Sequence, residues 1–564
     1  MDNRIIECVP NFSEGRNMQI IKQITDVIES VEGVKLINVD PGKATNRTVV
    51  TFVGSPDEVC EAAFLAAKKA TEVIDMSKHS GAHPRFGAMD VCPLIPVANI
   101  SMEETTEFAR KLAKRIGEEL HYPVYCYEFA AQFPERKNLA NVRSGQYEGL
   151  PQKLANPAWK PDFGPAVFVP KTGATAVSAR NFLIAYNINL NTTSTRRANA
   201  VAYDIREKGR PVREGNPVTG KIKLDKNGKE IWQQGTLKSV KAIGWYIQEY
   251  GIAQISVNLT DISVTPMHIA FDEVCKKAQE RGLRVTGSEL VGVAPLKAFI
   301  DAGKYFLKKQ QRSCGISDKE IIKIAVKSLG LDDLAPFNPN EKIIEYLIDE
   351  KSSKNLVNMS VKDFVHETAS ESPAPGGGSV SAAMGAMGAA LGTMVANLSA
   401  HKPGWDERWE EFSKWAEKGK FYHTQLLKLI DEDTLAFNKI MSAFSLPKNT
   451  ADEKEKRKTD IQTATRYAIE IPFNVMKLCY ESMYILKAMA ENGNPNSVSD
   501  AGVGAIAARS GVIGAFLNVK INCASLEDKS FVEKLITEGT EIERNTIELE
   551  NEILTIVNKK INKD

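Results

Sequence analysis

No two of the eight cysteines, at positions 8, 60, 92, 126, 275, 314, 479 and 523, fall at the close spacing of a zinc site or a disulfide framework. In a chain of 564 residues, long enough to bury several cores without covalent staples, free thiols are expected. Neither charge is in surplus. The 72 Lys+Arg stand against 71 Asp+Glu, so the net charge offers no field for a polyanion and no nucleic-acid partner is expected. Long runs of Leu, Ile and Phe are missing as well. The opening residues Met1 to Glu7 lack the apolar core of a secretory leader, which makes a cytoplasmic protein the expectation. The stretch from Ser379 to Ala400 is about long enough to span a bilayer, but Ala, Gly and Ser dominate it. It reads as a buried helix packed closely on its neighbours, with no membrane span.

What is present is a mixed pattern followed by a helical one. Strand-like Arg4–Val9, Val34–Val39, Arg47–Val53 and Val91–Val97 alternate with helix-like Met18–Ser30 and Pro56–Val73, an order of β-α-β-β-α-β. The order recurs after Phe182, with strands at Phe182–Leu190, Ala242–Ile247, Ala253–Leu259 and Arg284–Thr286 and helices at Ser194–Lys208 and Met267–Arg281. Two layered α+β units follow from this, each with helices on one sheet face. Within the second, Lys226-Asn227-Gly228-Lys229 predicts a two-residue hairpin turn in a polar surface excursion from Arg210 to Leu237. Past a polar stretch near residue 349 the periods lengthen, and helices are expected at Ser379–Ala400, Glu407–Phe444, Lys454–Asn492, Ser499–Lys520 and Asp528–Val557, an all-α bundle. The expected divisions are 1–182 and 183–348, a linker at 349–356, and 357–564.

Chemistry-bearing residues gather at few places. His83-Pro84-Arg85-Phe86-Gly87 breaks the mixed pattern, and Pro84 disfavours helix at His83, so an imidazole sits on irregular backbone. That makes His83 a candidate acid/base, with Arg85 beside it and Asp40, at a strand end, able to orient it or merely to cap a turn. His79 is four residues away, but Gly81 and Pro84 disrupt the helix that would align two zinc ligands, and no metal is expected. The run Gly164, Pro165, Ala166, Val167, Phe168, Val169, Pro170, Lys171, Thr172, Gly173 either borders a flat aromatic ligand or is a stiff connection. Gly376, Gly377, Gly378 and Ser379 precede the small-residue helix without the Lys-Ser/Thr ending of a phosphate loop, leaving a plain helix start or amides open to an anion or ring. Asp431-Glu432-Asp433 lies inside a helical pattern, as a solvated acidic face or a proton shuttle.

Several longer marks stand in one order: Glu7-Cys8-Val9-Pro10-Asn11-Phe12-Ser13-Glu14-Gly15, Thr45-Asn46-Arg47-Thr48, the His83 loop with Asp90-Val91-Cys92-Pro93, Phe182 to Leu190, Ala374 to Ser379, Leu446-Pro447-Lys448-Asn449-Thr450 and Phe516-Leu517-Asn518-Val519. Through them the chain resembles the bifunctional formimidoyltransferase-cyclodeaminase family over nearly its whole length. The resemblance implies a two-subdomain α+β transferase followed by a helical-bundle cyclodeaminase. It implies N-formimidoyl-L-glutamate and tetrahydrofolate, the latter polyglutamylated, as substrates, and a homo-oligomer. It implies His83 as the transferase catalytic histidine, Gly164 through Gly173 as the folate-binding stretch, and Asp433 as the cyclodeaminase catalytic aspartate. Formyl donation, methenyltetrahydrofolate cyclohydrolysis and a catalytically degenerate folate scaffold are the alternatives on the same folds.

Overall fold

The computed structural model describes residues 4–42, 46–81, 85–216, 219–248, 250–348 and 355–562. The chain folds as two compact units, one of Met1–Ala302 with Val326–Glu350, the other of Gly303–Ala325 with Lys351–Asp564.

In the first unit, β1 (Ile5–Cys8) and β2 (Asn11–Phe12) are two pieces of one interrupted strand, followed by α1 (Met18–Glu29), β3 (Lys35–Gly42), β4 (Arg47–Gly54), α2 (Pro56–Val73) and β5 (Met89–Ala98). The interrupted strand lies between β4 and β5, antiparallel to both, and β3 takes the edge beyond β4. Past β5 come α3 (Met102–Glu119), β6 (Val124–Glu128) and β7 (Thr175–Ala179), the two strands extending the sheet in parallel. Helix starts follow local chemistry. Asn17 accepts from the Gln19 and Ile20 amides, Pro56 sits in the first turn of α2, and Ser101 with Glu104 closes a capping box on α3. Ile6, Cys8, Phe52 and Leu94 lie buried in one core with Ile24, Ala63 and Ile116 from these helices. Glu7, one residue out of phase, is on the opposite face of the sheet.

The second sheet repeats that plan. β8 (Ile184–Leu190), α4 (Thr195–Ile205), β9 (Val240–Ile247), β10 (Ile252–Leu259), α5 (Met267–Gln279) and β11 (Val285–Val291) form an antiparallel sheet of order β9-β10-β8-β11. Counting strands within each half, both sheets run second, third, first, fourth, which is the split βαβ arrangement expected from the repeated order. The turn near Asn227 is longer than expected: Asp225 N and Lys229 O meet at 2.7 Å, and the Asp225 side chain accepts from the Asn227 and Lys229 amides at 2.8 Å each. The three residues between are a hairpin loop fastened by an aspartate, in place of the two-residue turn.

The second unit is all helix: α6 (Val361–Thr368), α7 (Gly377–Ala400), α8 (Trp409–Phe444), α9 (Ala451–Asn492), α10 (Val498–Cys523) and α11 (Lys529–Ile561). By length and composition alone, the segments Gly377–Ala400 and Pro495–Cys523 could cross a membrane, and at least half of the apolar 18-residue window in each is buried. Small residues allow the close packing: a Cβ on Gly388 would stand 2.7 Å from the Gly504 carbonyl. Gly303–Ala325 joins the unit through polar contacts that carry no periodic signature. Ser313 Oγ donates to Asn397 Oδ1 at 2.6 Å, and the Cys314 amide donates to Ser413 Oγ at 3.1 Å.

Candidate functional site

His83 lies outside the described residues, but both flanks of its loop are placed. Upstream, His79 Nε2 contacts the Asn46 carbonyl at 2.8 Å and Asn46 Nδ2 donates to the Ser80 carbonyl at 3.0 Å. Downstream, Arg85 donates through Nε to Glu148 at 2.9 Å and through Nη1 to the carbonyls of Met76, at 2.8 Å, and His79. Its guanidinium also stacks 4.5 Å from the Tyr147 ring centroid. Arg85 is therefore a staple that joins the two ends of the loop. Asp40 is exposed on β3, opposite Val49 across the ladder.

The stretch from Gly164 to Gly173 runs against the same loop. Gly164 and Gly173 adopt φ of +80° and +73°, and a Cβ on either would stand 2.2 Å from Tyr122 O or 2.4 Å from Phe86 O. Only glycine suits both ends. Ala174 N donates to Phe86 O at 3.1 Å and Ala88 N to Thr172 O at 2.8 Å, so the stretch is knitted to the residues that follow position 83. Tyr147 supports it from beneath, donating to Pro170 O at 2.6 Å with its ring 5.4 Å from that of Phe168. Lys171 donates to Glu72 O at 3.1 Å, while Ala166, Val167 and Pro170 are left exposed. The stretch is thus a stiff connection that also presents an open apolar edge.

Beside this loop is a charged cluster that joins two of the sequence marks, at Arg47 and Asp90, to Arg143, which lies in none of them. Asp90, fully buried on β5, accepts through one oxygen from Arg143 Nη2 at 2.8 Å and from Arg47 Nη1. Burial, with Arg143 alongside, pulls the Arg47 guanidinium down to about 9. Glu7, nearly inaccessible on the same sheet, is raised by burial to about 7 against the pull of Arg180. The second sheet carries a polar network across β8, β10 and β11: Gln254 Nε2 donates to Asn189 Oδ1 at 2.9 Å and Asn187 Nδ2 to Glu289 Oε2 at 3.2 Å. Alternation out of phase with the buried Ile184, Tyr186 and Ile188 was the available signal for these amides.

In the helical unit Asp433 projects from α8 to the start of α7. Ser379 Oγ donates to its Oδ2 at 3.0 Å and also contacts the Ile430 carbonyl at 2.9 Å, and the Ser379 amide donates to the same carboxylate. Burial nevertheless lifts the Asp433 carboxyl above its ordinary value. At the Ser379 amide of this helix start the anion is the chain's own. Gly377 faces Asn518, its Cβ position 3.1 Å from Nδ2. Asp431, two residues earlier, fastens a different segment, since its Oδ1 takes the Leu356 amide at 2.7 Å. One turn away, Ala383 and Ile430 join Leu356, Phe364, Met387 and His423 around an apolar cavity of about 260 Å³. All eight cysteines are free, and among the described residues no three His, Cys, Asp or Glu side chains group as a metal site.

A transferase-like α+β unit and a helical unit, each with its own polar centre, define a bifunctional enzyme in which two reactions are housed separately. Comparison with known proteins specifies which. The family model for the formiminotransferase domain, N-terminal subdomain, matches residues 5–180, that for the formiminotransferase domain matches 185–349, and that for formiminotransferase-cyclodeaminase matches 360–541. The formimidoyltransferase-cyclodeaminase of Mus musculus is 43% identical over 94% of this chain and 95% of its own length, and that of Dictyostelium discoideum 41% over 99% of each. A methenyltetrahydrofolate cyclohydrolase from Methylorubrum extorquens is 36% identical over 36% of this chain and 99% of its own. The chain belongs to the formimidoyltransferase-cyclodeaminase family.

Proposed function

We propose that the first unit moves the formimidoyl group of N-formimidoyl-L-glutamate to N5 of tetrahydrofolate, and that the helical unit closes the product to 5,10-methenyltetrahydrofolate with release of ammonia. The observation that carries the reading is Asp433, a half-buried carboxylate positioned by Ser379 in the unit that matches the cyclodeaminase model.

In the first step N5 attacks the amidine carbon and must lose a proton, while the glutamate nitrogen must gain one to leave. A single imidazole at position 83 can make both transfers, assistance worth about 10² to 10⁴ in rate. The edge from Gly164 to Gly173, fastened to Phe86 and Ala88 downstream of position 83, offers the pterin a surface. In the second step N10 attacks the formimidoyl carbon already on N5. Asp433 takes the N10 proton and returns it to the departing nitrogen, which leaves as ammonia. Its raised affinity for a proton suits a group that must both accept and donate.

The reading extends to a polyglutamylated folate, a role in histidine breakdown, a cytoplasmic location and a homo-oligomer. Incubation of the protein with N-formimidoyl-L-glutamate and tetrahydrofolate tests both steps: glutamate, ammonia and methenyl absorbance should all appear. The likeness to a cyclohydrolase favours a second reading of the helical unit, hydrolysis of methenyltetrahydrofolate, and absence of ammonia release would decide for it.

A further inference from the structure

We propose that the apolar cavity on the seam between α7 and α8 receives the p-aminobenzoyl ring of the folate and so sets N10 against Asp433. The inference rests on the folate reading of the helical unit and assigns the part of the substrate that this unit grips.

The seam has a direction. On α8, His423, Leu427, Ile430 and Asp433 recur at spacings of four, three and three, and on α7, Ser379, Ala383, Ala386 and Ala390 recur at four, three and four. Each set therefore lies along one face of its helix. The two faces meet at one end, where Ser379 Oγ contacts the Ile430 carbonyl at 2.9 Å and the Asp433 carboxylate at 3.0 Å. From there the cavity runs back along α8 to His423, about 15 Å from Asp433 along the helix axis. Leu356, Met359 and Phe364 form its third wall. Asp431 fixes that wall in place by accepting the Leu356 amide at 2.7 Å and the Val357 amide.

The lining selects the ligand. Apart from His423, every side chain around the cavity is apolar. A pterin carries N–H, amino and carbonyl groups along its edge that such walls would leave unpaired, whereas a benzoyl ring carries none on its own atoms. The volume is about 260 Å³, and a dry cavity of roughly 150 Å³ already admits benzene. The ring is bonded directly to N10, the atom from which Asp433 takes a proton, so a ring seated beside Ile430 brings N10 to the carboxylate. At the far end, burial and then Lys420 hold His423 below its ordinary value of 6.5, against the pull of Asp318. At neutral pH the imidazole is thus uncharged, with one donor and one acceptor nitrogen. It suits the amide that joins the ring to its glutamate better than it suits a carboxylate.

The test uses the whole chain with supplied 5-formimidoyltetrahydrofolate and two unreactive fragments, p-aminobenzoyl-L-glutamate and 6-methyltetrahydropterin. In wild type the benzoyl fragment should compete with the folate for cyclisation. Ala383→Leu, which fills the cavity, should raise the KM for the folate and the inhibition constant of that fragment about 10-fold each, and leave inhibition by the pterin fragment within about twofold. Ala383→Val fills less, should lose less, and covers the case in which the leucine variant does not fold. Calorimetric titration of the benzoyl fragment into wild type and variants reads the cavity without turnover. Fragment binding without ammonia release would sink the deaminase reading and leave the ring in its cavity, whereas ammonia release without fragment binding would do the reverse. Equal losses for both fragments, or a loss confined to the pterin fragment, would overturn the proposal.

Discussion

A Cβ on Gly378 would stand 2.1 Å from Oδ1 of Asp433, so the first turn of α7 and the carboxylate from α8 occupy touching space that only a glycine leaves open. Gly378→Ala must push the carboxylate aside or shift the helix start. A displacement near 1 Å at a reacting group costs about 10² in rate. Ammonia release should fall by that factor while formimidoyl transfer continues, so that 5-formimidoyltetrahydrofolate accumulates. Full methenyl formation by the variant would remove Asp433 from the reaction.

Asp433→Asn separates proton transfer from shape. It keeps an acceptor for Ser379 but cannot carry the proton, and the second step should slow by about 10² to 10⁴ with the first intact. The readout is the lag between glutamate release and methenyl absorbance, and an unaltered lag would contradict the assignment.

His83→Ala should leave tetrahydrofolate binding near its wild-type strength and cut transfer by about 10² to 10⁴. The helical unit should still convert supplied 5-formimidoyltetrahydrofolate. Loss of both steps together would point to a folding defect and against a catalytic imidazole.

Glu7 predicts a pH signature. Its carboxyl rises from 4.5 to about 7 in the folded chain, so between those values the folded state binds more protons than the unfolded state. Stability then declines as pH rises through that window, at a limiting slope of roughly 1.4 kcal/mol per unit, and levels off above it. Glu7→Gln, uncharged throughout, should match wild type below the window and exceed it above pH 7 in thermal melts. A variant less stable than wild type at pH 8 would show that Arg180 and its neighbours favour the charged form more than burial opposes it.

Arg85→Ala should loosen the two ends of the loop at once. Loss of charged donors to the Met76 and His79 carbonyls costs about 1.5 to 3 kcal/mol each at most. Lower melting temperature with reduced transfer, and unimpaired cyclisation, is the expected pattern in denaturation and single-step assays.

Much of the helical unit was legible because its helices are long. Over the 36 residues of Trp409–Phe444 or the 42 of Ala451–Asn492 the apolar period repeats often enough to outweigh local exceptions, although the second starts three residues before the expected Lys454, at a capping box of Thr450 with Glu453. The chain order β-α-β-β-α-β of both halves was legible, while the order of the strands within each sheet came from the structure. Val124–Glu128 and Thr175–Ala179 were not read, since short strands buried in a parallel arrangement lose the alternation by which strands are recognised. The site divided in the same way. Asp433 and the run from Gly164 to Gly173 are local words to which a resemblance can attach a role, whereas Arg47 and Asp90, though they stand in two of the marks, are joined to each other and to Arg143 only in space.

The pinning of Gly164 against Tyr122 and of Gly173 against Phe86 has a thermodynamic corollary. A surface strapped down at both ends has little conformational freedom left to surrender when a planar ring settles on it, so affinity there is governed by the contacts formed rather than by the freezing of a wandering segment.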